Sequence, residues 1–403
     1  MKKTLLPLTL GGLGIGITEF VMMGLLPDIA KDLQITIPQA GHLISAYALG
    51  VVIGAPLLVA IAGKYPPKNI LIVLMLMFTV FNGLSAFAPD YTMLFLSRLF
   101  SGLPHGAFFG VGSVVASRIA DEGKSAQAVS MMFAGLTIAN IVGVPLGTYI
   151  GHHYSWRFSF AIVAVVGLLT VWSLKAWLPA LQAAKDRNLR QELSFFGKAE
   201  AWLIILMISI GTGGLFCWYS YIAPLMTSVA GFSSSAVTYV LVLAGTGMMA
   251  GNFIGGKLAD RFSPGRASML LLLTMTVTLV IVHFVSHLQI PALIMTFVTG
   301  AVAFALAAPI QMLMINTAKG SEMLAAAASQ ASFNIGNALG AFLGGLPLVY
   351  GFGYTAPATV GAGMALAGAF FAFMLLRMVR SGKSQVKRSE KAGTSVGEPC
   401  MSV

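Results

Sequence analysis

Stretches of about 20 residues without a charged side chain recur along this chain, and each is long enough to cross a bilayer as a helix. Nothing else constrains the fold as strongly. A helix in hydrocarbon satisfies its own backbone, and repeated segments of this kind leave an all-α integral membrane protein as the consistent reading. Composition agrees: of 403 residues, 57% are apolar and 9% charged, against roughly 25% charged in a soluble domain. A water-facing surface cannot be built from so few charges, which argues against a soluble enzyme.

The predicted spans are 5–26, 42–63, 69–89, 92–117, 127–150, 157–178, 201–222, 236–258, 267–287, 291–315, 323–349 and 355–376. Twelve spans put both termini on one side. If that side is the cytoplasm, 21 of the 24 Lys and Arg residues fall in inner loops, in tails or at the inner ends of spans, as the positive-inside rule requires. The exceptions are Lys31 and Arg157 outside and Arg98 within a span. The net charge of +11 is therefore a topology signal, and no nucleic-acid partner is expected. Residues 1–178 form a first six-helix bundle, 179–200 a cytoplasmic linker, 201–376 a second bundle and 377–403 a basic, disordered tail. Cys217 lies in a span and Cys400 in the tail, so no disulfide framework is expected. The apolar run Leu5–Leu26 is too long for a signal peptide and no small-residue cleavage site follows, which predicts a retained first helix.

The halves repeat. Gly50-x-x-x-Gly54 recurs as Gly251-x-x-x-Gly255, and Asn140-x-x-Gly143-x-x-x-Gly147 as Asn337-x-x-Gly340-x-x-x-Gly344. Parallel repeats packed about a central site are the architecture of alternating-access transporters.

Charge inside hydrocarbon marks the candidate chemistry. Glu19 is the acid well inside a span, about 6 Å beyond its middle by helical rise. A carboxyl group there is costly to keep ionised, which suits it to bind and release a proton. A structural carboxylate tying spans together is the alternative. Arg98, the basic residue deep in a span, comes near the same level. A Glu19–Arg98 pair would be broken by protonation, linking proton binding to helix movement; a static ion pair is the alternative. His105 follows seven residues later on nearly the same face. It could extend a proton path or simply bond a neighbouring backbone. His152 and His153 lack an acid at ligand spacing, so no metal site is expected.

Gly102, Gly106 and Gly110, with Gly143 and Gly147, form small-residue stripes that let helices approach closely, and Pro145 adds a bend. No phosphate cradle or Walker sequence is present, so neither ATP nor any other cofactor is expected. Candidate substrate contacts are Tyr47, Asn140, Trp218, Tyr221, Gln311, Asn334 and Asn337, whose amides and aromatic faces suit a sugar or a neutral drug. Each is equally compatible with helix packing.

These motifs resemble the major facilitator superfamily, in its twelve-span drug–proton antiporter group, and within it the bacterial sugar-efflux branch typified by the arabinose-operon exporter. The resemblance is carried by Gly16-Ile17-Thr18-Glu19-Phe20, Gly24-Leu25-Leu26-Pro27-Asp28, Ser97-Arg98-Leu99, Pro104-His105-Gly106 and Asn140-Ile141-Val142-Gly143-Val144-Pro145-Leu146-Gly147. Trp156-Arg157, opening the sixth span, adds to it. It implies two six-helix bundles and a role in proton transfer for Arg98. It further implies an antiporter motif around Gly143, Pro145 and Gly147, and an inner-face charge latch from Gly256, Asp260, Arg261 and Arg266. The first-half counterpart, Gly63-Lys64-Tyr65-Pro66-Pro67-Lys68, lacks the acid.

The expectation is a multi-pass protein of the bacterial inner membrane, monomeric, exporting a small neutral or polar molecule by proton antiport with alternating access. A proton-linked importer and a passive carrier remain open. The absence of a paired catalytic constellation in the spans argues against an enzyme.

Overall fold

The computed structural model describes residues 3–62, 65–122, 125–182, 194–317 and 322–393. Twelve of its helices are long and apolar enough to cross a membrane. They are Leu6–Asp32, Ile37–Val59, Pro67–Ala86, Tyr91–Ile119, Ala128–His153, Trp156–Trp177, Ala199–Ser228, Ser234–Leu258, Pro264–Val285, Gln289–Met314, Ala327–Val349 and Ala356–Val379, called spans 1 to 12 below. Every predicted span reappears. Span 1 runs six residues past its expected end, through Pro27 to Asp32. Local chemistry sets several starts: Asp90 accepts from the Met93 N–H at 2.9 Å to cap span 4, and prolines open spans 3 and 9.

The sequence repeat is a packing repeat. Gly50 and Gly54 of span 2 press against the carbonyls of Leu99 and Leu103 in span 4, and Gly102 faces the Tyr47 carbonyl in return. In the second half Gly251 and Gly255 of span 8 meet the carbonyls of Ala301 and Ala305 in span 10, with Gly300 against the Ala244 carbonyl. A Cβ at any of these glycines would strike backbone, so only glycine allows the approach. Likewise Gly143 and Gly147 of span 5 receive Ile17 and Val21 of span 1, and Gly340 and Gly344 of span 11 receive Phe216 and Cys217 of span 7.

Three spans are irregular, each four residues before a proline. Span 5 carries a π turn at Ala139–Gly143 ahead of Pro145. Span 7 is split into Ala199–Gly211, Gly213–Tyr219 and Ile222–Ser228, the second break preceding Pro224. Span 10 is split between Ala305 and Ala307, ahead of Pro309. Proline lacks the N–H that would bond the carbonyl four residues back and crowds that carbonyl as well.

The halves meet along spans 2 and 11, spans 5 and 8, and spans 1 and 7. Ser45 Oγ donates to the Ala338 carbonyl at 3.0 Å, and the rings of His42 and Phe342 lie 5.8 Å apart. The Asn140 carbonyl abuts Gly245, and Phe20 stacks on Phe216 with centroids 6.4 Å apart. These contacts run from the centre toward the end where spans 1 and 2 connect, the end remote from the termini.

One expectation changes here. The tail begins as helix, since span 12 belongs to a helix running Ala356–Gly393. From Arg377 to Gly393 the segment lacks proline and is rich in Lys and Arg, both good helix formers. Most of the linker, residues 183–193, lies outside the described residues, as do 394–403.

Candidate functional site: a buried charge cluster between the halves

Glu19 is buried in the middle of span 1, and its carboxylate accepts from Asn337 Nδ2 of span 11 at 3.5 Å. The acid of one half is thus held by an amide of the other. Arg98 of span 4 is fully buried. Its Nη1 donates to Thr18 Oγ1 at 2.9 Å, and its guanidinium lies 4.4 Å over the Tyr47 ring and 5.5 Å from that of Phe160. Its Nε and Nη2 have no hydrogen-bond partner. Thr18 in turn donates to Asn82 Oδ1 at 2.5 Å, and Asn82 Nδ2 to the Phe78 carbonyl at 2.8 Å.

The direct ion pair considered from sequence is not formed: among the described residues no Glu19–Arg98 contact lies within 4.0 Å. Arg98 is instead bonded to Thr18, and the electron-rich ring faces compensate part of its charge.

His105 Nδ1 lies 3.0 Å from the Tyr47 hydroxyl, and the Gln330 side chain of span 11 stands near the ring. Tyr47, expected among the substrate contacts, is therefore a member of the charge cluster. Cluster and amides form a line across the molecule, from Asn82 through Thr18, Arg98, Tyr47 and His105 to Gln330.

The other candidates divide. Asn334 Nδ2 donates to the Gln330 carbonyl at 3.0 Å, and the Oδ1 atoms of both Asn334 and Asn337 are buried without a partner. Trp218 Nε1 and the Tyr219 hydroxyl are likewise buried and unpartnered, with their rings 5.8 Å apart and Tyr219 6.1 Å from Phe20. These groups gather about the level of Glu19. Asn140 shows the same pattern as Asn334, its Oδ1 also buried without a partner. Its Nδ2 donates to the Leu136 carbonyl of its own helix at 3.0 Å, while its backbone abuts Gly245 at the π turn. Tyr221 is engaged in packing. Its hydroxyl donates to the Ala341 carbonyl at 2.6 Å and is wedged between Gly41 and Gly345, sealing the remote end. Gln311 is half-buried beyond the span 10 break.

Of the inner-face signature, Gly256 faces open space and Arg261 is exposed over the Phe262 ring at 5.9 Å. The Asp260 side chain lies outside the described residues. Arg266 lines a separate cavity of 620 Å³ with Glu200 and Asn316 at the ends of spans 7, 9, 10 and 12. In the first half Lys68 donates instead to the carbonyls of Lys175 and Leu178, at 3.0 and 2.5 Å. Lysine there ties span 3 to the end of span 6. At the remote end, Asp32 accepts from Trp156 Nε1 at 3.0 Å and from Arg157 at 2.5 Å. That accounts for the pair opening span 6 and for one outer cation.

Thr18, Asn82 and Gln330 were not singled out from sequence. Neutral polar residues in spans are common, so composition gives them no contrast. A polar residue directly beside the membrane acid was the available signal for Thr18.

The sequence matches the description Major Facilitator Superfamily over residues 8–329 and again over 219–401. The chain belongs to the major facilitator superfamily. It is 41% identical over 354 residues to the AraJ protein of Escherichia coli (strain K12), covering 88% of this chain and 90% of that one. To the chloramphenicol resistance protein of Streptomyces lividans it is 29% identical, over 85% and 88% of the two chains. Among solved structures it resembles the D-xylose–proton symporter at 16% identity, with a TM-score of 0.73 and coverage of 92% and 96%, a likeness of fold. The protein is thus a multi-pass major facilitator transporter of small molecules, not an enzyme. Its match to the superfamily on both halves agrees with the internal repeat.

Proposed function

We propose that this transporter exports a small neutral or polar molecule, sugar-like or drug-like, across the bacterial inner membrane in exchange for protons. The single observation that carries the reading is Glu19, a buried membrane acid whose donor, Asn337, belongs to the opposite half. An ionised carboxylate only accepts hydrogen bonds, whereas a protonated one also donates. Proton uptake therefore reverses the polarity of one contact across the interface. Asn337 can answer either state, because its Oδ1 is unpartnered.

Asn334, Asn337, Trp218 and Tyr219 supply free acceptors and donors beside aromatic faces. That set suits a neutral ligand carrying hydroxyl or amide groups, which would compete with Glu19 for Asn337. The excess of basic residues at the termini and their loops supports a cytoplasmic location for that side. The contacts between halves then close the outer end, and the central groups face inward. Two bundles joined by residues 179–200 would rock about Glu19, Arg98 and His105, a single chain sufficing. Resistance in the name of one relative supports the export direction.

The test is proton movement in inside-out vesicles holding a known pH gradient, with pentoses, oligosaccharides, nucleosides and cationic drugs added in turn. One class should collapse the gradient with the parent protein and none with Glu19→Gln. Unchanged concentrative export by Glu19→Gln would remove Glu19 from coupling. A labelled substrate that equilibrates without moving protons would make the carrier passive.

A further inference from the structure

Thr18 and Asn82 stand outside the coupling scheme, yet their hydrogen bonds have a fixed direction. Asn82 is fully buried in span 3, and its Nδ2 is committed to the Phe78 carbonyl at 2.8 Å, which turns Oδ1 toward span 1. Thr18 carries one hydroxyl proton and gives it to that Oδ1 at 2.5 Å. Its lone pairs are left for Arg98 Nη1 at 2.9 Å. The chain of donation runs from Arg98 to Thr18, Asn82 and the Phe78 carbonyl, crossing spans 4, 1 and 3.

Thr18 and Glu19 are successive residues, so their side chains leave the helix about 100° apart. Thr18 draws the guanidinium toward span 3 while Glu19 reaches toward span 11. Arg98 already has two unpartnered nitrogens. Without the Thr18 hydroxyl a third would lose its partner, and a buried guanidinium in that condition is costly. The anionic group nearest at hand is the Glu19 carboxylate.

We propose that Thr18 and Asn82 are positioning residues that hold Arg98 off Glu19, so that the carboxylate stays free to exchange its proton. The ionisable side chains about the pair are Tyr47 of span 2, under the guanidinium, and His105 of span 4, behind Tyr47. Tyr219 of span 7 packs on Phe20. Among the described residues, spans 3, 5, 6 and 11 bring uncharged neighbours: Asn82, Ala139, Phe160 and Asn337. A direct pair with Arg98 would therefore be the dominant new charge contact of Glu19.

The inference rests on the proton-coupling role proposed for Glu19, and the experiment separates the two. Substrate-driven proton movement is measured in vesicles as a function of pH for the parent, Thr18→Val, Thr18→Ser, Asn82→Leu and Glu19→Gln. Substrate counterflow at equal pH on both sides serves as the check on folding. Thr18→Val should shift the pH profile toward acid by about one unit or more, the size of effect an arginine exerts on an adjacent carboxylate. Thr18→Ser, which keeps the hydroxyl, should restore the parent profile, and Asn82→Leu should shift it in the same direction by less. Parent-like profiles for Thr18→Val and Asn82→Leu, alongside loss of coupling in Glu19→Gln, would overturn the positioning role alone. Coupling retained by Glu19→Gln would overturn the reading beneath it. If Thr18→Val fails to fold, the Asn82→Leu profile decides.

Discussion

The two halves share one plan and use it differently. In the first, span 2 locks to span 4 through glycines against carbonyls, and in the second span 8 locks to span 10 in the same way. In register with Gly102 on Tyr47 and Gly300 on Ala244, the counterpart of Arg98 is Thr296, whose hydroxyl is spent on the Ala292 carbonyl at 2.8 Å. Glu19, Arg98 and His105 all belong to the first half, in spans 1 and 4 that run unbroken. The second half answers with neutral amides and indoles, and it carries the breaks of spans 7 and 10. Duplication has preserved the scaffold while charge gathered in one copy and the split helices in the other.

If that division is real, the largest effect should follow from Arg98→Gln. Coupled transport should fall at least about tenfold, about 1.4 kcal/mol of barrier, while Thr296→Val leaves it near the parent value. Equal losses from both would end the claim that the first half alone carries the charge chemistry. Next in size is overpacking of the shared scaffold. Gly102→Val and Gly300→Val each force a side chain against a facing carbonyl, and each should cost about 1–3 kcal/mol. Matched falls in melting temperature in detergent are expected, and tolerance at one position only would show that the repeat is not one of packing. The smallest is Tyr221→Phe, which removes one hydrogen bond to Ala341 worth about 0.5–1.5 kcal/mol. Labelling of a cysteine placed near Gly345 should rise a few-fold. A collapse of transport as deep as that of Glu19→Gln would instead assign Tyr221 to the substrate site.

How far the sequence carries depends on contrast. Hydrocarbon tolerates charge so poorly that Glu19 and Arg98 announced themselves, and long apolar runs fixed every span to within a few residues. Glycine spacing exposed the duplication before any packing was visible. Thr18, Asn82 and Gln330 were hidden because an uncharged polar residue costs a span little, and only neighbours in space give it meaning. The breaks were half legible. Pro145, Pro224 and Pro309 stand after irregular turns, yet Pro104 and Pro347 lie inside continuous helices, so proline alone does not say where a helix opens. Residue type did not decide Tyr221, because an aromatic hydroxyl suits a ligand and a gate equally well.

Arg98 carries a consequence for how the protein is made. An arginine inside a span raises the free energy of inserting it into the bilayer, by up to roughly 2.5–3.5 kcal/mol at the helix centre. Span 4 has a mean hydropathy of 1.3, against 1.9 for spans 2 and 3, so it enters the membrane as a reluctant passenger. Its companions come earlier in the chain: Ser85 of span 3 bonds Ser97 at 2.9 Å, and Thr18 of span 1 is already waiting for the guanidinium. The order of synthesis thus delivers Thr18 and the Tyr47 ring, two receptors for the buried cation, before the cation itself. A nascent chain deprived of span 1 would present span 4 to the translocon with no polar partner from that span to receive it.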